Sequence, residues 1–95
     1  MDDQEIKNRL IEKLLRGRYI SGKNVTIDQL ITTKAGLPSS EEGRARRLLE
    51  DEMIPQGEGS IAMYGGQREA VRLTDVAEAV EYLKDHGGNV PFGFD

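Results

Sequence analysis

The segment from Ser39 to Ile54 most constrains what this chain can fold into, because it predicts one amphipathic helix with a defined start. Ser39 and Glu42 have the spacing of a capping box, in which each side chain bonds the backbone amide of the other. Apolar residues recur along one side at helical spacing: Ala45, Leu48, Leu49 and Met53. This side of the helix is expected to face the core.

The opposite side of the same helix combines small residues with arginines. Four residues share it, at positions i, i+3, i+4 and i+7: Ser40, Gly43, Arg44 and Arg47. Small side chains near a helix start allow close approach to a polyanion, and arginine binds phosphates and guanine. The pattern is typical either of a nucleic-acid surface or of the solvated face of an ordinary amphipathic helix.

Another helix is predicted just before this one, from Ile27 to about Ala35. Thr26 and Gln29 form a second capping-box pattern at its start, and Gly36 is placed to end it in a left-handed conformation. Pro38 disfavours helix at the residue before it, so the two helices cannot merge simply. Two helices with a tight connection containing glycine predict a helix-turn-helix.

The flanking segments complete an α+β order. An amphipathic helix is predicted from Asp2 or Asp3 to about Arg16. After a loop at residues 55–59, Ser60–Tyr64 and Glu69–Leu73 predict two strands joined at paired glycines. Thr74 is then expected to cap a final helix that runs from about Asp75 to Asp85.

The length of 95 residues is enough for one domain, predicted over residues 1–88 and followed by a tail at 89–95. Cysteine is absent, so neither a disulfide nor a thiolate metal site is expected, which fits a cytoplasmic protein. No apolar run approaches the ~20 residues of a membrane span, and we predict no membrane partner and no cofactor.

Charge is distributed unevenly along the chain. Residues 1–48 contain ten Lys or Arg against seven Asp or Glu, whereas residues 49–95 contain three against ten. The net charge of −4 argues against a general nucleic-acid binder. A single basic face is still compatible with phosphate binding, because fields between exposed charges fade over about 8–10 Å at working salt.

A catalytic function is not expected. His86 is the single histidine of the chain, and its place at a helix end suits the helix dipole. The carboxylates of residues 50–52 are consecutive around a helix and cannot converge as a general acid and base. Gly65 and Gly66 lack the lysine of a phosphate-binding loop. We therefore predict a binding protein and not an enzyme.

The order helix, helix-turn-helix, hairpin, helix resembles that of a winged-helix domain. The passage from Arg46 to Ile54 is similar to the end of a winged-helix recognition helix. The passage from Val71 to Ala79 resembles the step from the second wing strand into the closing helix of small bacterial and archaeal regulators. The resemblance implies a winged helix-turn-helix with a three-helix core, a two-stranded wing and a C-terminal helix.

In winged-helix proteins that bind duplex DNA, the second helix of the helix-turn-helix enters the major groove and the wing contacts the backbone or minor groove. The resemblance thus implies a small transcriptional regulator that uses the helix at 39–53 and the wing at 60–73. The implied DNA-binding residues are Ser39, Ser40, Gly43, Arg44, Arg47, Gln67 and Arg68.

An alternative is a winged-helix module that binds another protein and no DNA. It is favoured by the acidic second half of the chain. A homodimer is also expected, since pairing doubles the short surface of one domain. Phe92 and Phe94 in the tail are compatible with such an interface, with a flexible end, or with folding back onto the domain.

Overall fold

A computed structural model of the protein describes residues 1–64 and 69–94, which fold as a small α+β domain. Helix α1, Asp3–Arg16, has the predicted boundaries. The Asp2 carboxylate accepts a hydrogen bond from the Glu5 amide at 2.8 Å, and the Glu5 carboxylate accepts from the Asp2 amide in return. The apolar stripe of α1 is fully buried: Ile6, Leu10, Ile11, Leu14 and Leu15.

Helix α2, Ile27–Gln29, begins where the sequence predicts. The Thr26 hydroxyl accepts from the Gln29 amide at 3.1 Å, although the structure shows no bond in the reverse direction. A π-helical turn, Leu30–Lys34, extends this helix, and Gly36 follows with the predicted left-handed backbone at φ +65°. The short connection to the next helical segment is therefore confirmed.

The third helical segment begins differently from the prediction. A 3-10 turn, Ser39–Glu41, precedes helix α3, Glu42–Leu48, and no side-chain cap is formed at either start. The last extended residue is Pro38, at ψ 144°, so Ser39 already lies inside the first turn and cannot act as the cap. The predicted Ser39–Glu42 capping box is wrong.

The helical path then continues beyond α3, into the predicted loop. A π-helical turn, Leu49–Met53, leads into helix α4, Ile54–Gln56. Pro55 lies in the first turn of α4, where a missing amide hydrogen is tolerated. Gly57 ends the helix in the left-handed region, and a 3-10 turn, Glu58–Ser60, leads to the sheet.

Three strands form one antiparallel sheet within the described ranges, in the order β1-β3-β2. Strands β2, Ile61–Tyr64, and β3, Ala70–Leu73, pair as the predicted hairpin. Residues 65–68, which include the predicted wing residues Gln67 and Arg68, lie outside the described residues. Strand β1, Val25–Thr26, pairs with the other edge of β3. The sheet thus has one strand more than predicted.

Helix α5, Val76–Asp85, starts one residue later than predicted. Its cap is Asp75, whose carboxylate accepts from the Glu78 amide at 3.1 Å. Thr74 lies one position before the cap, and its hydroxyl donates to the Ser60 carbonyl at 3.1 Å. The expected cap at Thr74 is wrong, and Thr74 instead joins the start of α5 to the turn before β2.

The tail folds back in part onto this helix. Pro91 is buried, and Phe94 packs against the core beside Val76 and Val80. Phe92, between them, is 100% exposed. Folding back, one of the three arrangements compatible with the sequence, therefore applies to Phe94 and not to Phe92.

A polar network joins α1 to the acidic second half of the chain. The Lys7 ammonium lies 2.9 Å from a Glu52 oxygen and 3.1 Å from a Glu58 oxygen. Burial favours a lower pKa for Lys7, but hydrogen bonds and charges from the two glutamates outweigh it and leave the pKa raised. The Tyr82 hydroxyl donates to Glu58 and accepts from Gln4, which ties α5 to the same cluster.

We predict that alanine substitutions at Gly57 and Gly59 distinguish the cost of backbone strain from the cost of overpacking. Both have left-handed backbones, with φ +64° at Gly57 and +62° at Gly59. A Cβ on Gly57 would meet nothing within 4 Å, whereas one on Gly59 would lie 2.7 Å from the Ile11 Cδ1 atom. Gly57→Ala should lower the free energy of unfolding by about 1–2 kcal/mol. Gly59→Ala should lower it by about 1–3 kcal/mol more through overpacking.

Urea unfolding of both variants measures this difference. Gly57→Ala serves as the matched control, because it carries the same backbone strain without the contact to Ile11. Equal unfolding midpoints for the two variants would show that Gly59 is not packed tightly against α1.

Candidate nucleic-acid interface

The segment from Ser39 to Met53 divides into the two predicted sides. Ala45, Leu48, Leu49 and Met53 are buried in the core. Ser39, Ser40, Gly43 and Arg47 are exposed on the other side, and Arg44 is partly exposed. The apolar residues of the segment are thus buried as predicted, and the five predicted site residues of the segment are exposed or partly exposed.

Arg44 is held by carboxylates of its own chain. Its Nε atom donates to the Glu41 carboxylate at 3.0 Å, and an Nη atom donates to the Asp3 carboxylate at 3.2 Å. The other Nη atom donates to the Met1 carbonyl as well as to Glu41. These contacts tie the start of α3 to the start of α1 and fix the direction of the guanidinium.

The pairing of Arg44 with Glu41 also shifts the titration of both groups. The hydrogen bond from Arg44 lowers the pKa of the Glu41 carboxyl below its usual value, and the bond to Glu41 raises the pKa of Arg44. Both side chains remain in contact with water, with 32% and 20% of their surfaces exposed. The Arg44 guanidinium is therefore partly accessible to solvent while it is paired.

Arg47 differs from Arg44 in its surroundings. It is exposed and forms no ion pair with any carboxylate in residues 1–64 or 69–94. Its neighbour Arg46 points toward α2 and pairs with Asp28. The Arg46–Asp28 pair links the two helices of the helix-turn-helix and leaves Arg47 as the cation of α3 that faces solvent.

Two pairs of acidic side chains lie around a shared cation: Glu52 and Glu58 both contact Lys7, and Glu41 and Asp3 both contact Arg44. Across residues 1–64 and 69–94, no group of three or more His, Asp or Glu side chains could hold a metal ion. The His86 Nδ1 atom lies 2.8 Å from the Tyr82 carbonyl, at the end of α5. Within the same ranges, no helix has the length and apolar character needed to cross a membrane.

The chain matches no protein-family model, no curated protein and no solved structure. Assignment to the winged-helix superfamily therefore stays a prediction based on element order and two short sequence passages. A functional proposal for this chain therefore depends on the arrangement of its own residues.

We predict that the Glu41 carboxyl titrates below its ordinary value of 4.5 because of Arg44. Because the pKa of Glu41 is lower in the folded chain than in the unfolded chain, the Arg44–Glu41 pair stabilises the fold at pH values above the unfolded value of 4.5. This contribution is lost as the pH falls through the folded pKa of Glu41. Carboxyl NMR titration should show the low midpoint in the unmodified protein. In Arg44→Ala the midpoint should return toward 4.5.

Arg47→Ala is the matched control for this titration, because the hydrogen bonds to the Glu41 carboxylate come from Arg44 and not from Arg47. It removes the same charge from the same helix and should leave the Glu41 midpoint unchanged. An equal shift in both variants would mean that the general field of α3 acts on Glu41, and not the direct bond.

Proposed function

We propose that the protein is a winged-helix module that binds duplex DNA with α3 in the major groove. The observation that carries this proposal is the exposed Arg47, which lies on the outer face of α3 beside small residues and lacks a carboxylate partner among the described residues. An α-helix fits the major groove, where arginine bonds guanine at two atoms. Ser40, in the turn before α3, and Gly43 are exposed and small, so they add little bulk on the side of the helix that we propose enters the groove.

Arg44 has a second role in this proposal. Its guanidinium is oriented by Glu41 and Asp3, and part of it remains exposed to solvent. Because the Asp3 carboxylate is the more exposed of the two partners, at 57%, a DNA phosphate can take its place. Arg44 then positions α3 on the backbone, while Arg47 reaches a base.

The element order supports the same proposal. Two helices joined through Gly36 and Pro38 are followed along the chain by a hairpin, and strand β1, directly before α2, pairs with that hairpin. In this arrangement the β2–β3 hairpin acts as the wing. We propose a small cytoplasmic transcriptional regulator as the biological form of this activity.

Binding to another protein is the second candidate function. It is favoured by Phe92, an aromatic side chain that is 100% exposed, two positions before the Phe94 ring that lines a shallow groove on α5. Large exposed apolar side chains of this kind occur at protein interfaces. Under this alternative, the acidic second half of the chain contacts the partner and duplex DNA is not bound.

We expect Arg47→Ala to weaken duplex DNA binding by about 1–3 kcal/mol if it removes a bidentate base contact. Each phosphate that is no longer bound should reduce the slope of log K against log salt by about 0.9, so Arg44→Ala should flatten the salt dependence. Fluorescence anisotropy with a labelled duplex, repeated over a range of salt, measures both effects.

Lys84→Ala is the matched control, because Lys84 is an exposed cation on α5, away from α3. It should leave duplex affinity unchanged. Lys84→Ala and Arg47→Ala should keep the thermal stability of the parent, whereas Arg44→Ala should lose the small contribution of its ion pairs. Unchanged affinity in both arginine variants would overturn the DNA proposal. A complete lack of duplex binding at low salt would favour the protein-binding module.

A further inference from the structure

A second basic surface lies around the end of α1 and is separate from α3. Residues 13–27 contain four cations and no carboxylate, although the whole chain has a net charge of −4. Three of these cations are exposed: Arg16, Arg18 and Lys23. None of the three is paired with a carboxylate in the part of the chain that the structure describes. Lys13 and Arg16 suit the dipole at the end of α1, and the Lys23 ammonium donates to the Gly17 carbonyl at 2.9 Å. Within the described ranges, the Arg18 side chain makes no such contact with the helix end.

The loop at residues 17–24 is held against the sheet. The Leu73 amide donates to the Tyr19 carbonyl at 2.8 Å, and Ile20 forms a bridge with Leu73. Arg18 and Ser21 have left-handed backbones, with φ +55° and +48°, which are unfavourable for residues other than glycine. The loop is therefore fixed in an uncommon conformation beside β3.

Aromatic rings accompany the cations of this region. The Lys23 ammonium lies 5.0 Å from the centre of the Tyr19 ring, and the Arg18 guanidinium carbon lies 4.9 Å from that of Phe94. Each distance is within the range of a cation–π contact. A Cβ on Gly17 would lie 2.3 Å from the Tyr19 ring, so the ring lies directly against the backbone of the loop.

The outer side of the sheet carries a third pair of a cation and an aromatic ring. The Arg72 guanidinium carbon lies 3.5 Å from the centre of the Tyr64 ring, at stacking distance. Ser21 from the loop lines one shallow cavity of about 230 Å³ together with Tyr64 and Arg72. Ser21 thus links the loop to the outer side of the sheet. The residues of the three cation–aromatic pairs are called here the basic–aromatic face: Arg18, Tyr19, Lys23, Tyr64, Arg72 and Phe94.

We propose that the basic–aromatic face binds single-stranded nucleic acid. Arg18 and Lys23 contact the phosphates, and a base stacks on the Arg72–Tyr64 pair. Unpaired bases expose the flat faces that stack on guanidinium and aromatic planes, whereas the bases of a duplex are already stacked on one another. This proposal uses residues other than those of α3 and does not depend on duplex binding.

The charge and shape of the face favour a nucleic-acid strand over other polyanions. An anionic membrane or an acidic peptide would satisfy the cations but would leave the Arg72–Tyr64 stack without a planar partner. The test therefore compares a labelled oligothymidylate with an anionic vesicle and with polyphosphate, all presented to the full chain.

We expect the oligothymidylate to bind at low salt, and Arg18→Gln combined with Arg72→Gln to weaken it at least tenfold. The salt slope of log K should fall by about 0.7 for each phosphate that the variant no longer binds. Tyr64→Leu should weaken binding roughly fivefold or more because it removes the stacking plane, with an unchanged salt slope. Tyr64→Trp should keep the affinity of the parent, because it retains an aromatic plane.

Lys34→Gln is the control, since it removes a positive charge at an exposed site outside the face, and Arg18→Gln alone is the variant that matches it in charge. Three results would overturn the proposal: no binding of the oligothymidylate, equal effects of Lys34→Gln and Arg18→Gln, or affinity for polyphosphate or vesicles equal to that for the strand. Arg47→Ala should leave binding of the single strand intact, which distinguishes failure here from failure of the duplex proposal.

Discussion

Burial of the apolar stripe of α1 is the interaction on which the rest of the structure depends. This helix contacts α3, α5, the π turn after α2, and β3. Its five largest apolar side chains are completely removed from water, and burial of such side chains is the main favourable term in folding. Because α3 packs on α1 through its own apolar side, the polar side of α3 must face outward. The candidate DNA surface is thus a consequence of how the core is filled.

The same packing explains which parts of the fold were predictable from sequence. Long amphipathic helices such as α1 repeat their pattern over several turns, and the hairpin strands are bounded by glycines. Strand β1 has two residues, too few to show an alternation of period two, and it pairs with β3 from the other half of the chain. The wrong prediction at Ser39 has a local origin, because Pro38 shifted the start of the helical turn.

The sequence predicted which side of α3 the candidate residues occupy, but not which carboxylates the arginines pair with. The spacing of Arg44 and Arg47 predicted a shared outer side, which the structure confirms. The bond from Arg44 to Asp3 joins residues 41 positions apart, and the Arg46–Asp28 pair joins residues 18 apart. No periodicity within one helix carries that information. The basic–aromatic face was likewise not predictable, since its rings and cations come from the loop after α1, the sheet and the tail.

Placing β3 between its two partners has a consequence for the order of folding. The hairpin of β2 and β3 is local in sequence, and hairpins form in about 1–10 μs. Strand β1 pairs with the other edge of β3, and this pairing closes a much longer loop than the hairpin does. The sheet is therefore expected to assemble from the hairpin toward β1, so that the strand beside the helix-turn-helix joins last.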